Sequence, residues 1–274
     1  MRVLVIGGGG MAGHMIVQYL RDKGYEVWQT TRQEQADSQH VRLDVRQEEQ
    51  VLLMLESVRP AIVINAAGML NEAAEKQLAD AIRVNSLLPH LLASAGGTYG
   101  YRLIHISTDC VFSGARGSYT EADVPDGTSA YARTKMLGEV TAAPHVTLRT
   151  SIIGPDAKSD AIGLFAWFMR QQGCIRGYRR VFWNGITTLE LAKVIEWTFA
   201  HPVTGLVQVA SPEKISKHDL LCLLQEVYGH SSVTIEPYDE IVSDKSLCST
   251  RTDFTYSVPA YRDMICELKQ WMEK

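Results

Sequence analysis

No stretch of this chain approaches the ~20 consecutive apolar residues that a membrane-spanning helix requires. Excess charge of one sign is equally scarce. The 27 Lys and Arg against 31 Asp and Glu leave a net charge of −4, too even for the basic footprint of a nucleic-acid binder or of a protein held on an acidic membrane surface. The five cysteines (Cys110, Cys174, Cys222, Cys248 and Cys266) contain no C-x-x-C pair, and the eight histidines have no metal-ligand spacing. A disulfide framework and a zinc site are therefore not expected, and a scattered odd set of thiols suits a reducing cytoplasm. Internal repeats and low-complexity tracts are absent. The opening Met1-Arg-Val-Leu-Val-Ile-Gly7 has an apolar run without the layout of a signal peptide, and reads as a strand.

What is present is an alternation of buried strands and helices. Arg2 to Ile6 is a continuous apolar run of the kind that is buried on both faces of a parallel sheet. Gly7-Gly-Gly-Gly10-Met11-Ala-Gly13 follows at once, then a helical pattern through Met15, Ile16, Tyr19 and Leu20 to Gly24. Strand, glycine turn and helix form the context of a dinucleotide site. Gly7 allows the tight turn, Gly10 lets backbone amides reach a pyrophosphate at the helix N-terminus, and Gly13 permits close helix–strand packing. Met11 lies within the same cradle. The second strand, Tyr25 to Thr30, ends in Thr31-Arg32 with no acid before Glu34. An acid there would bind a ribose 2′-hydroxyl, whereas an arginine accommodates a 2′-phosphate, so the pattern favours NADPH over NADH with Arg32 on the phosphate. Asp44 and Val45 end the next short strand, near the expected adenine. Ala66-Ala67-Gly68 after the strand Ala61–Asn65 lets backbone lie against the cofactor. A long helix from Glu75 to Ala95 contains Asn85, which is read either as a packing residue or as a polar group under the active site and a substrate contact.

The chemistry is expected at Tyr131-Ala-Arg-Thr-Lys135. Four residues apart on a helix places tyrosine and lysine on one face, about 5–6 Å apart at Cβ. A nearby ammonium would favour the phenolate and bring its pKa down from ~10. Upstream, the strand Arg102–Ser107 carries Ser107-Thr108-Asp109 at its carboxyl end, where ligands of open α/β sheets sit. Thr108 is placed to hydrogen-bond a substrate carbonyl beside Tyr131. After about residue 150 the alternation weakens. An apolar helix is expected over Ala161–Gln171, and others over Leu189–Phe199, Lys217–Tyr228 and from Pro259 to near Trp271. Arg176, Arg179 and Arg180 are candidates for a diphosphate or else form a solvated basic loop. Trp183 is read as stacking on a base or sugar, or as a core or lid residue.

These motifs (Gly7-x-x-Gly10-x-x-Gly13, Asn65-Ala-Ala-Gly68, Asn85, Ser107-Thr-Asp109, Tyr131-x-x-x-Lys135) occur in the order and spacing of the extended short-chain dehydrogenase/reductases. Ser-Thr-Asp-Cys-Val-Phe-Ser-Gly and Asn-Gly-Ile-Thr-Thr most resemble the dTDP-4-dehydrorhamnose reductase group, which reduces nucleotide-diphospho-4-keto-6-deoxysugars. The resemblance covers most of residues 1–210. It implies a doubly wound Rossmann α/β sheet over residues 1–150 with 186–210 returning to it, and a smaller α+β sugar-nucleotide unit from 151–185 and 211–274. It also implies hydride delivery from NADPH to sugar C4. Tyr131 would protonate O4, Thr108 would orient the carbonyl, and Lys135 would bind the nicotinamide ribose and lower the Tyr131 pKa. Asp109 accompanies Thr108, either in the chemistry or as a loop anchor. The substrate is expected to be a nucleotide-diphosphate sugar, with Arg251 as a further contact and a homodimer as a candidate assembly. Cys110 replaces a tyrosine usual in the group, and Asn71-Glu72-Ala-Ala-Glu75 replaces Val-Asp-x-Ala-Glu, which leaves the sugar open. Two alternatives remain: a 4-epimerase or 4,6-dehydratase on the same fold, and a non-catalytic NADP-binding regulatory subunit.

Overall fold

The computed structural model describes residues 1–34, 36–156 and 163–274. Its centre is a seven-stranded parallel sheet made of β1 (Arg2–Ile6), β2 (Glu26–Thr31), β3 (His40–Arg42), β4 (Ile62–Asn65), β5 (Arg102–Thr108), β6 (Val146–Thr150) and β11 (Gly205–Gln208). The order across the sheet is β11-β6-β5-β4-β1-β2-β3. The chain runs outward from β1 to one edge, then crosses back and runs outward to the other. This is a doubly wound sheet whose topological switch lies between β1 and β4.

Alternation within β1 shows why its run is continuously apolar. Val3 and Val5 face one core together with α1 (Met11–Asp22) and α8 (Thr188–Ala200). Leu4 and Ile6 face the opposite core, built with α2 (Glu48–Val58) and α5 (Leu88–Tyr99). Both sets have zero exposure, so each position buries a side chain worth roughly 1.5–3 kcal/mol.

The long helix expected over residues 75–95 is broken in the structure. It consists of α3 (Asn71–Lys76), α4 (Leu78–Ala81), a π-helical turn over Ile82–Leu87, and α5. Such widened turns cluster at functional sites. The physical cause here is Asn85, whose side chain leaves the helix surface and turns inward. Pro89 then lies in the first turn of α5, where its missing N–H costs least.

The second half adds α6 (Ala130–Leu137), β7 (Ile152–Ile153), α7 (Leu164–Met169), β8 (Gly173–Tyr178), β9 (Val181–Trp183), β10 (Ile186–Thr187), β12 (Ile215–Ser216), α9 (Lys217–Tyr228), β13 (Val233–Tyr238), β14 (Ser243–Asp244) and α10 (Tyr261–Met272). The strands form small sheets: β8 with β13, β9 with β12 and β14, and β7 with β10. The helix expected from Ala161 is α7, shorter at both ends; Ala161 itself lies outside the described residues. α9 and α10 pack Leu220, Leu221, Leu224, Met264, Ile265 and Leu268 into the same core as Val3 and Val5. No helix among the described residues is long and apolar enough to cross a membrane.

Candidate active site

The glycine turn is formed by backbone that tolerates no side chain. Gly7 has φ +86°, and a Cβ there would lie 2.8 Å from the Ala67 nitrogen. A Cβ on Gly13 would overlap the Gly7 carbonyl oxygen. At Gly10, by contrast, the nearest atom to an added Cβ would be 3.5 Å away. Gly10 precedes α1 with extended backbone and no side-chain cap, so the first-turn amides of α1 have no partner from a side chain at that position. The Ala66-Ala67 backbone lies directly against Gly7, and Ala66 N–H donates to Ile6 O at 2.9 Å. Met11 opens α1, with its methyl against Gly163. A dinucleotide pyrophosphate fits this cradle, because a bare helix N-terminus and close-packed glycines are what it needs. Arg32 is exposed just beyond β2, close enough to Asp44 to help hold that carboxyl below its usual range, though the Arg46 guanidinium on Asp44 does more.

The second part of the site is built from buried side chains. Helix α6 is capped by Ser129, whose hydroxyl accepts from Ala132 N–H at 3.1 Å, while Glu75 accepts from Ala130 N–H at 2.7 Å. Asn85 fastens this helix to the cofactor side. Its Oδ1 accepts from Met69 N–H at 2.8 Å, and its Nδ2 donates to Met69 O at 2.9 Å and to Thr134 Oγ1 at 3.0 Å. Ser86 adds a bond to Thr134 O at 2.8 Å. Behind β5, the buried pair Arg149–Glu139 is bidentate at 2.8 and 2.6 Å, and Ser107 donates to the same carboxylate at 2.7 Å.

These supports bring the Tyr131 phenol beside the Thr108 hydroxyl, with Cys110 and Asp109 adjoining. Thr108 Oγ1 donates to Asp109 Oδ1 at 3.1 Å and accepts from Cys110 N–H at 3.1 Å. Burial raises the phenol pKa above its ordinary value, and Thr108 only partly offsets that. This differs from the expected phenolate. Lys135 does not tune the tyrosine, because its ammonium position is taken by β5: Nζ donates to Ile106 O at 2.7 Å and meets His105 Nε2 at 3.3 Å. Burial brings Lys135 itself down to about 8. The Cys110 thiol is pushed up to about 11 by burial and by Asp109, so at neutral pH it is a protonated filler. Burial also raises the Asp109 carboxyl, against the pull of Lys245 and Lys217. If the Thr108 proton turns from Asp109 to a carbonyl oxygen, the arrangement can hold that oxygen between two hydroxyls and give it a proton from Tyr131.

Family comparison identifies the same region. A family described as the RmlD substrate binding domain matches residues 1–175. The chain belongs to that family. Among curated relatives it is 27% identical over 248 residues to the spore coat polysaccharide biosynthesis protein SpsK of Bacillus subtilis, covering 86% of this chain and 84% of that one. It is 32% identical over 157 residues to the dTDP-4-dehydrorhamnose reductase of Aggregatibacter actinomycetemcomitans, covering 55% of this chain and 51% of the relative. The chain thus spans about half the length of that curated reductase. Among solved structures, the dTDP-4-dehydrorhamnose reductase of Bacillus anthracis in complex with NADP superposes with a TM-score of 0.83 at 19% identity, covering 100% of this chain and 99% of that one. That likeness concerns the fold.

Within this RmlD-family chain, the expected substrate contacts have protein partners of their own. Asn85 is fully buried and bonded to Met69 and Thr134, so it ties α6 to the Met69 backbone. Trp183 is 4% exposed, donates Nε1–H to Ser151 Oγ at 2.8 Å and packs against Tyr261; of its two readings, the structure shows the core one. Arg251 binds the edge of the sheet, donating to Thr204 O at 2.9 Å and Leu206 O at 3.1 Å, with Asp253 on its other side. Arg176 stacks over Tyr238, and Arg179 is paired with Asp239. Neither arginine joins the Thr108 cluster. The cations that do act on Asp109 are Lys217, at the start of α9, and Lys245. Lys217 Nζ lies 4.9 Å over the Trp183 ring. Neither lysine lies in a recognisable motif, and the only sequence signal was a lysine opening an amphipathic helix. The buried His105, with no exposure, was also unmarked.

Proposed function

We propose that this protein is an NADPH-dependent reductase of the C4 keto group of a nucleotide-diphospho-4-keto-6-deoxyhexose, acting in deoxysugar or surface-polysaccharide synthesis. The observation that carries the reading is the pairing of the Thr108 and Tyr131 hydroxyls at the carboxyl end of β5, in a sheet whose β1–α1 turn is shaped for a pyrophosphate. The names of the matched reductases support it. Bound NADPH supplies a hydride. Tyr131, kept protonated by burial, gives its proton to the sugar O4, and Thr108 orients that oxygen. Lys135 would bind the nicotinamide ribose, while Gly7, Gly10, Met11, Gly13 and Ala66–Gly68 would line the dinucleotide, with Asp44 and Val45 serving the adenine and Arg32 the 2′-phosphate. Lys217 and Lys245, which act on Asp109, add positive charge beside the reacting oxygen. Residues 1–150 and 186–210 serve the cofactor, and the remainder serves the sugar nucleotide.

The dehydratase alternative loses support at Cys110, because a thiol held protonated to about 11 is a poor replacement for the second acid that C5 deprotonation requires. The regulatory-subunit alternative leaves the two paired hydroxyls without a purpose. Mixing the protein with NADPH and dTDP- or UDP-4-keto-6-deoxyhexose, and following nicotinamide absorbance, tests the proposal. Oxidation dependent on the keto sugar is expected; NADPH binding without turnover of either sugar would refute it.

A further inference from the structure

A chain of hydrogen bonds runs from the cofactor cradle to Lys135, and its donors and acceptors can be counted. Ala67 N–H, which lies against Gly7, donates to Asn65 Oδ1 at 3.2 Å. That bond fixes the orientation of the Asn65 amide, so Nδ2 is the atom that meets His105 Nδ1 at 3.2 Å. Nδ2 can only donate, so Nδ1 is the acceptor and the ring proton of a neutral His105 lies on Nε2. His105 is neutral because it is fully buried: burial holds its pKa well below the ordinary value, with Lys135 and His90 acting in the same direction. The Nε2–H then points at Lys135 Nζ, 3.3 Å away.

An ammonium has three donors and no acceptor. Facing an Nε2–H it would leave two donors opposed inside the protein with no acceptor between them. A neutral amine fits: its lone pair accepts from His105 while one N–H donates to Ile106 O at 2.7 Å. Turning the Asn65 amide over does not help, because its NH₂ would then oppose the Ala67 N–H. The other charged or titratable groups around Lys135 do not reverse this. On α6 there is Tyr131, which is protonated. Past its end, Glu139 favours the charged amine, but its carboxylate is occupied by Arg149 of β6 and Ser107 of β5. His90 of α5 acts on His105.

We propose that His105 is a positioning residue that, through its Nε2–H, favours the neutral amine of Lys135 in the cofactor-free protein, so that in alkaline solution filling the dinucleotide site takes up one proton from solvent at Lys135. The ribose hydroxyl oxygens and the negative charge of the dinucleotide offer the ammonium what His105 does not. This inference rests on the proposed binding of NADPH. The coupling makes cofactor affinity fall as pH rises beyond the range in which the free amine loses its proton, near 8.

Two measurements test it. Nitrogen NMR of histidine-labelled free protein at pH 9 is expected to show a His105 ring protonated at Nε2; a proton on Nδ1 overturns the proposal without any variant. Calorimetric titration with NADPH at pH 9, in buffers of different ionisation enthalpy, is expected to show uptake approaching one proton. His105→Phe, which removes the hydrogen bond to the neutral amine, is expected to cut that uptake by half or more. NADPH binding with no proton uptake, or uptake unchanged in His105→Phe, overturns the inference alone. Failure of NADPH to bind at any pH removes the functional reading and the coupling together, while the tautomer of the free protein still reports on His105.

Discussion

The two corners of the candidate site are made of different material. At the β1–α1 corner the shape belongs to backbone: Gly7 at positive φ, Gly13 pressed on the Gly7 carbonyl, and Ala67 against Gly7. At the β5–α6 corner it belongs to buried polar side chains: Asn85, Thr134, Ser107, Glu139, Arg149, His105 and Lys135. A backbone cradle is rigid and indifferent to pH. A buried side-chain network sets protonation states, and its failures should appear in chemistry and in pH dependence before they appear in cofactor binding.

The largest expected effect is at the second corner. Tyr131→Phe removes the proton donor and leaves the cradle untouched. It should lower kcat by about 10²–10⁴-fold with the NADPH dissociation constant nearly unchanged, as checked by steady-state kinetics and nicotinamide fluorescence. Unchanged kcat would end the acid role. The matching test of the first corner is Gly13→Val. Its side chain would overlap the Gly7 carbonyl, an overpacking that costs typically 1–3 kcal/mol. NADPH binding and Tm should both fall, whereas Gly10→Ala, 3.5 Å from the nearest protein atom, should keep Tm. Equal loss of Tm in the two variants would mean that the turn is not shaped by close packing.

Lys135→Met sharpens the contrast, since activity and stability should move in opposite directions. The folded pKa of Lys135 is about 8 against an ordinary 10.5. Below pH 8 the folded and unfolded chains both carry this proton and the cost of burying it is full. Between 8 and 10.5 the unfolded chain holds more protons, so stability from this group rises with pH. Removing the amine should raise Tm by a few degrees at pH 7, with an upper bound of about 3 kcal/mol, reduced by the unpaired Ile106 carbonyl. The rise of wild-type stability between pH 8 and 10.5 should be smaller in the variant. Thermal denaturation across that range checks both, and a lower Tm at pH 7 would contradict the burial argument.

The same division decides what could be read from sequence. Glycines that admit no Cβ have few substitutes, so Gly7-x-x-Gly10-x-x-Gly13 announces the cradle, and apolar runs such as Val3–Ile6 announce strands with two buried faces. Tyr131 and Lys135 were visible from their spacing, but spacing cannot show that the amine is spent on Ile106 O and His105 and never reaches the phenol. Asn85 in a helical pattern gave no hint of a π turn, because the cause is a contact with Met69 sixteen residues away. Arg176 and Arg251 were named for their charge, and charge alone does not distinguish a ligand contact from a stack on Tyr238 or a clamp on Thr204 and Leu206. Lys217 and Lys245 escaped because nothing in their neighbourhood shows that they converge on Asp109.

The smallest effect separates the one side chain that the backbone corner uses from the basic residues elsewhere. Arg32 is exposed beside Asp44, and the Asp44 carboxylate is already engaged by Arg46 at 2.6–3.1 Å. The guanidinium is therefore available for a 2′-phosphate, a charge-assisted bond worth about 1.5–3 kcal/mol in favourable geometry and less at an exposed site. Arg32→Ala should raise the KM for NADPH about tenfold, equivalent to ~1.4 kcal/mol, and leave that for NADH nearly unchanged, since NADH has no phosphate at this point. Arg176→Ala, which loses only a stack on Tyr238, should alter neither cofactor KM nor the KM for the sugar nucleotide by more than about twofold. If Arg32→Ala weakened both cofactors equally, the arginine would be holding Asp44 and the β2–β3 connection, and the preference for NADPH would have to come from the backbone itself.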